Sequence, residues 1–195
     1  MPSGAFFVWY NGVMVILFGL AGTGKSTHGQ LLAEKHQMRW LSVGQVLRDT
    51  GQFTEVLERG ELVDDDVVIK LMSKKIREIR DGGEDIILDG FPRDKYQAEW
   101  VAKNLAGEIE KAALIEVPKE ELVARLMERG RADDTREVII KRFEITEQNI
   151  CSILEILGDK GVEIVKVNGQ GTIEETNAKL EAALFPAWKL PEFMR

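Results

Sequence analysis

Val13-Met14-Val15-Ile16-Leu17-Phe18 runs directly into Gly19-Leu20-Ala21-Gly22-Thr23-Gly24-Lys25-Ser26, and this junction decides the fold. The first six residues are apolar and β-prone, the pattern of a parallel strand buried on both faces. The next eight match G-x-x-x-x-G-K-[ST], a motif that carries weight only between a strand and a helix, which is its context here. Glycines let consecutive backbone N–H groups turn inward as an anion nest, with Gly22, Thr23 and Gly24 forming the floor. Lys25 is then placed to reach β and γ phosphates, the Ser26 hydroxyl to ligate Mg²⁺, and Thr27 to donate to an α phosphate. Nucleotide binding follows from this; a reaction does not, because switches, motors and kinases share the loop.

Upstream, no charged side chain occurs between Met1 and Gly24. A secretory signal needs a basic start, and a membrane span would avoid the Asn11-Gly12 turn dipeptide, so neither reading fits. Residues 1–12 read as an extension ahead of a domain spanning 13–195. Phe6 to Tyr10 followed by Asn-Gly has the look of a hairpin, but a strand feeding a phosphate loop is central in its sheet and has no edge to offer.

Downstream, short β-prone blocks recur at Arg39 to Leu41, Asp85 to Leu88, Ala113 to Val117 and Glu163 to Val167. Helical spacing separates them: Val68, Met72, Ile76 and Ile79 in one stretch, and Ile139, Phe143, Ile150, Leu154 and Leu157 in a longer one. Thr172 to Leu184 adds a third, with Thr172 as N-cap and Glu175 three residues on. This alternation predicts an α/β domain, a mostly parallel sheet with helices on both faces and ligands at the C-terminal strand ends.

Composition narrows the function classes. With 26 Lys and Arg against 33 Asp and Glu, the net charge is −7, which argues against general binding to nucleic acid or to an anionic membrane. The one cysteine, Cys151, excludes an intramolecular disulfide and a Cys-built zinc site, and its helical neighbours predict a partly buried residue in a reducing compartment. His28 and His36 read as exposed helix residues. A GTP switch would need N-K-x-D and D-x-x-G motifs, and the chain has neither. Its third strand ends instead in Asp89-Gly90-Phe91-Pro92-Arg93. An acid there is placed to hold a Mg²⁺ water shell, and an arginine four residues on to bind a second phosphate.

These blocks, with Leu41-Ser42-Val43-Gly44-Gln45-Val46-Leu47-Arg48 and Arg131-Ala132-Asp133-Asp134, resemble the adenylate kinase family of nucleoside monophosphate kinases over about Met14 to Leu184. The resemblance implies a P-loop three-layer fold with a five-stranded parallel sheet of order 2-3-1-4-5. It implies transfer of the γ-phosphoryl group of MgATP to a nucleoside monophosphate, most of all AMP, by a cytoplasmic monomer. By the same resemblance, Arg48, Gly90 and Arg93 hold the acceptor's phosphate, and Gln97 reads its base. Arg125 and Arg129 precede the lid and Arg131 opens the block after it. Arg142 lies on the long helix, while Asp133 and Asp134 orient the arginines as the lid closes.

Several positions depart from the family pattern. Ser26 stands for a usual glycine, Ala21 for a proline, His28 for a glutamine and Gln45 for an aspartate. Val43 occupies a base-facing place where adenylate kinases often have threonine and pyrimidine-directed relatives alanine. Only Gly130 separates Arg129 from Arg131, a very short lid with no room for zinc. A UMP/CMP or other nucleoside monophosphate kinase is therefore the alternative within the fold. A nucleotide-binding regulator or assembly factor with weak ATPase is the alternative outside the enzyme class.

Overall fold

The apolar block that opens the phosphate loop forms strand β1 (Met14–Phe18), every residue of it buried. In this computed structural model, which describes residues 12–131 and 134–185, β1 lies at the centre of a parallel sheet. It pairs with β3 (Ile86–Asp89) on one side and β4 (Ile109–Glu116) on the other. β2 (Arg39–Ser42) and β5 (Glu163–Asn168) are the edges, giving the order β2-β3-β1-β4-β5, as the resemblance implied. With both edges of β1 occupied, no position beside it remains for a hairpin partner; residues 1–11 lie outside the described residues.

Strand side chains alternate between faces, and the core divides accordingly. Met14, Ile16 and Phe18 join one buried cluster with residues of α2 (Val43–Thr50), α4 (Asp65–Asp81) and α5 (Lys95–Asn104). Val15 and Leu17 join the other, with α1 (Lys25–His36), α6 (Lys119–Arg129) and α8 (Ile173–Leu184). Each such side chain contributes roughly 1.5–3 kcal/mol when fully buried. The long helix α7 (Arg136–Gly158) serves both layers. Ile139 and Phe143 enter the second cluster, Ile153 and Leu157 the first, so α7 crosses the sheet end and carries Arg142 over the cleft. A short α3 (Thr54–Glu58) completes the set.

Helix starts distinguish scaffold from site. Side chains cap α4 (Asp64), α5 (Asp94), α7 (Thr135) and α8 (Thr172), the last as the full Thr172–Glu175 capping box expected from the sequence. Helices α1 and α2 have neither a side-chain cap bond nor an acidic residue in the first turn. Their leading N–H groups and positive dipole ends are left for an external anion. Strand β4 begins four residues before the expected Ala113: Glu110 is exposed at a sheet end, and Lys111 is tied down by Glu163 and the Ala183 carbonyl. Charge there hid the strand.

Candidate active site

Leu17 of β1 is in register with Asp89 of β3, so the phosphate loop and the Asp89-Gly90 turn leave the sheet side by side. Gly24 sits at φ 85° as the N-cap of α1, a left-handed conformation that costs a side chain energy and glycine nothing. Ser26 Oγ donates to Asp89 Oδ2 at 2.7 Å. One hydroxyl beside one carboxylate suits Mg²⁺, which keeps most of its water and takes further oxygens from phosphate. No group of three or more His, Cys, Asp or Glu residues able to hold a metal occurs among the described residues, so the pair fits a nucleotide-borne ion and not an all-protein cage.

Lys25 folds back over the loop, its Nζ donating to the carbonyls of Gly19 at 2.7 Å and Leu20 at 2.8 Å. Burial lowers its pKa to about 8; Asp89 opposes the shift, and Arg93 and Arg129 add to it. Arg93 is likewise pushed down, first by burial and then by Arg142 and Arg48 against the pull of Asp89. Its Nε donates to the Gly90 carbonyl at 2.9 Å. Arg48 and Arg93 meet at Gly44, where a Cβ would lie 3.4 Å from Arg48 Nη1 and 3.5 Å from Arg93 Nη2. The first turn of α2 thus faces the cleft with a bare helix N-terminus between two guanidinium groups, an arrangement suited to a phosphate.

Across the cleft, α6 ends at Gly130 (φ 63°) and α7 begins after Thr135. Arg129 reaches Asp134 through two bonds, Nε to Oδ2 at 2.8 Å and Nη2 to Oδ1 at 2.6 Å. Asp134 Oδ2 also accepts from the Arg131 backbone N–H at 3.2 Å, and Arg142 Nη1 lies 3.7 Å from Oδ1. Burial alone would raise the pKa of this carboxyl. Arg129, the Arg131 N–H and Arg142 outweigh it and hold the group below the usual carboxylate range. Arg142 Nη2 donates to the Leu57 carbonyl at 2.9 Å, and Lys141 pairs with Glu61 at 2.9 Å, joining α7 to α3 and to the segment after it. Arg125 pairs with Glu121 and approaches the Gly169 carbonyl.

One cavity brings together Gly22, Gly24, Lys25, Ser26, Thr27, Arg48, Asp89, Gly90, Arg93, Arg125, Arg129, Arg131 and Arg142. Other candidates lie behind this lining. Thr23 is buried, its hydroxyl donating to Leu20. Val43 belongs to the core cluster. Gln97 is 1% exposed, with Oε1 accepting from the Arg93 N–H at 2.9 Å and Nε2 donating to Asp65 at 2.8 Å. Asp134 is a support, and Asp133 lies outside the described residues. The cleft also uses groups that the sequence did not single out. They are Ser42 and Gly44 at the start of α2, the backbone around Gly60 and Leu62, and Thr146 on α7. An uncapped helix after a strand was the available signal for the first two.

Three side-chain expectations are corrected. His28 is buried, packed against Gly24 and near Asn177, with burial lowering its pKa. Its ring fills the space where α1 meets α8. His36 is half-buried, stacked on Phe185 at 4.1 Å, with Glu181 at 3.2 Å from Nε2. Cys151 is exposed, because α7 presents that face to solvent while Ile153 and Leu157 turn inward.

The sequence profile described as "Adenylate kinase" matches residues 17–162. The chain belongs to the adenylate kinase family. It is similar to an adenylate kinase of Synechococcus sp. (strain WH7803), 37% identical over 182 residues, covering 87% of this chain and 97% of the relative. An adenylate kinase of Thermus thermophilus is 34% identical over 188 residues, covering 89% and 97%. One of Prochlorococcus marinus (strain MIT 9211) is 31% identical over 181 residues, covering 87% and 96%. Family membership makes the chain a nucleotide-binding phosphotransferase of the nucleoside monophosphate kinase class. No helix among the described residues is long and apolar enough to cross a membrane.

Proposed function

We propose that this adenylate kinase family member transfers the γ-phosphoryl group of MgATP to AMP, giving two ADP. The observation that carries the reading is the convergence of Lys25, Arg48, Arg93, Arg129, Arg131 and Arg142 on one cavity in a chain of net charge −7. Two anionic nucleotides repel, and the transferred group spreads negative charge over its oxygens in a loose transition state. Prepositioned cations therefore supply most of the rate, each about 10²–10³-fold where it acts on the transition state.

Arg48, Arg93 and the N-terminus of α2 hold the acceptor's phosphate. One of its oxygens attacks the γ phosphorus, the bond to the β,γ-bridging oxygen breaks, and the electron pair leaves with ADP. Lys25 and the loop N–H groups stabilise the β and γ oxygens, while Arg129, Arg131 and Arg142 close from the α6–α7 side under the hold of Asp134. Ser26 and Asp89 are the residues that would hold Mg²⁺, which would supply charge neutralisation to the triphosphate. Gln97 carries the acceptor preference. Its Oε1 and Nε2 each use one bonding position inside the protein, which leaves one lone pair and one N–H for adenine's amino group and adjacent ring nitrogen.

A coupled ADP-formation assay across AMP, CMP, UMP, GMP and dTMP tests the reading. AMP is expected to lead CMP and UMP by at least about tenfold in kcat/KM, and Gln97→Ala to erase most of that margin. Equal use of CMP or UMP by the wild type overturns AMP as the acceptor.

A further inference from the structure

Strand β2 ends at Ser42, which is also the N-cap of α2, with extended backbone angles of φ −105° and ψ 123°. A serine in this place ordinarily accepts a hydrogen bond from one of the leading helical N–H groups, as Asp64, Asp94, Thr135 and Thr172 do for their own helices. Ser42 makes no such bond. Alternation along β2 sets its side chain on another course: Leu41 joins the first core cluster and Trp40 packs on the second, so Ser42 shares the face of Trp40. On that face it is in register with Asp89, whose Oδ2 accepts from Ser26. Ser42 is 7% exposed and lines the cavity, and its hydroxyl has no hydrogen-bond partner among the described residues. A hydroxyl so withdrawn from water is costly until something completes it.

We propose that the Ser42 hydroxyl donates a hydrogen bond to the acceptor's phosphate, as the third side chain of that subsite beside Arg48 and Arg93. The inference rests on the reading of Arg48, Arg93 and the start of α2 given above, and it adds a residue to them. A Cβ on Gly44, two residues after Ser42, would lie 3.4 Å from Arg48 Nη1 and 3.5 Å from Arg93 Nη2, and one on Gly90 would lie 3.4 Å from Arg93 Nη2 and 3.6 Å from Val43 Cγ1. The Arg93 guanidinium therefore bridges from the end of β3 to the first turn of α2, and Ser42, at the junction of β2 and α2, borders the same space. Val43, the next residue, is committed to the core. A serine that capped α2 would compete with a phosphate for its leading N–H groups. One that leaves them bare joins them as a further donor, because a hydroxyl carries a proton of its own. The two arginines supply charge, whereas a neutral hydroxyl supplies direction and fixes one phosphate oxygen.

The phosphate is common to every acceptor, so the contact is blind to the base. Ser42→Ala is expected to raise KM for AMP and for CMP about tenfold each, to keep the ratio of their kcat/KM values within about twofold of the wild type, and to leave KM for ATP unchanged. Competition against AMP separates phosphate from base: the variant is expected to bind AMP about tenfold more weakly and adenosine, which has no phosphate, within about twofold of the wild type. Because the hydroxyl caps nothing, melting is expected within about 2 °C of the wild type, and Ser42→Cys, a near-isosteric weak donor, is expected to match alanine. Arg48→Ala is the reference. A loss of AMP affinity there with none in Ser42→Ala overturns the role of the serine alone, whereas no loss in either variant overturns the acceptor subsite itself. An equal loss for AMP and adenosine in Ser42→Ala also overturns the proposal, since a structural support would act that way. So does a loss confined to ATP and seen only with Mg²⁺ present, which would place the hydroxyl against the water shell of the metal.

Discussion

The two walls of the cleft hold their cations in opposite ways. On the strand-tip side, Lys25 and Arg93 are half-buried, both depressed in pKa chiefly by the loss of water around them, and their side chains donate mainly to backbone carbonyls. Neither forms an ion pair among the described residues. On the α6–α7 side, Arg129 is locked bidentately to Asp134, with Arg142 close to the same carboxylate. One wall stores positive charge that a polyphosphate completes. The other holds Arg129 and Arg142 against the one carboxylate of Asp134, which fixes their geometry in advance. Asp89 only partly offsets the cost of taking these cations out of water, so the first wall gains most from an added anion while the second is set for closure.

The largest expected effect falls on the strand-tip wall. Lys25→Ala or Arg93→Ala is expected to lower kcat by about a hundredfold or more, since each removes charge that matters most in the transition state. Thermal melting should show the fold intact, because the substitution also relieves a buried cation. Normal turnover by a folded Arg93→Ala protein would dissolve the distinction between the walls.

The α6–α7 wall is expected to respond less, and through orientation. Asp134→Ala leaves Arg129 and Arg142 in place as charges but removes the carboxylate that aligns Arg129 and anchors the Arg131 backbone. A loss of about tenfold in kcat is expected, with KM for ATP changing less. Asp134→Asn keeps an acceptor for one Arg129 bond and should fall between alanine and wild type. If both variants match the wild type, Asp134 is a bystander and the arginines orient themselves.

The same contrast explains what could be read in advance. Gly19 to Ser26 and Asp89 to Arg93 are contiguous, and their roles follow from backbone conformation and adjacent residue types. Strand positions and the Thr172 cap are legible for a related reason, since strand pattern and capping are local, whereas the sheet order is implied only by the resemblance. Asp134 enters among the lid-closing residues only through resemblance. Its partnership with Arg142, eight positions along, depends on how α6 turns into α7. Asp65 gives no local signal, because its partner Gln97 is 32 positions away and Asp64-Asp65-Asp66 reads as an ordinary acidic helix start. His28 defeats the sequence because the face of α1 that meets α8 is set by a tertiary contact. The bare starts of α1 and α2 are visible in principle, as helices with no acid where α4, α6 and α8 have one.

The smallest expected effect near neutral pH is also the most direct probe of the stored charge. In the free site Lys25 titrates at about 8, because burial, aided by Arg93 and Arg129, disfavours its ammonium form. A bound triphosphate supplies the missing anion and favours that form, so the bound site keeps Lys25 protonated to higher pH. The sign follows from comparing the two states. Binding takes up a proton wherever the free site has already lost one, and affinity falls as pH rises through the free-site value. For a free-site pKa near 8, uptake by Lys25 is about 0.1 proton at pH 7, about half at pH 8 and about 0.9 at pH 9, with ATP affinity roughly tenfold weaker at pH 9 than at pH 7. Isothermal titration calorimetry at each pH, in two buffers of different ionisation enthalpy, measures the uptake. Lys25→Met, which has no proton to gain, should lose the part that rises between pH 7 and 9. Uptake that stays flat over that interval in the wild type would mean that Lys25 is already fully charged in the free site. The two walls would then differ in geometry alone.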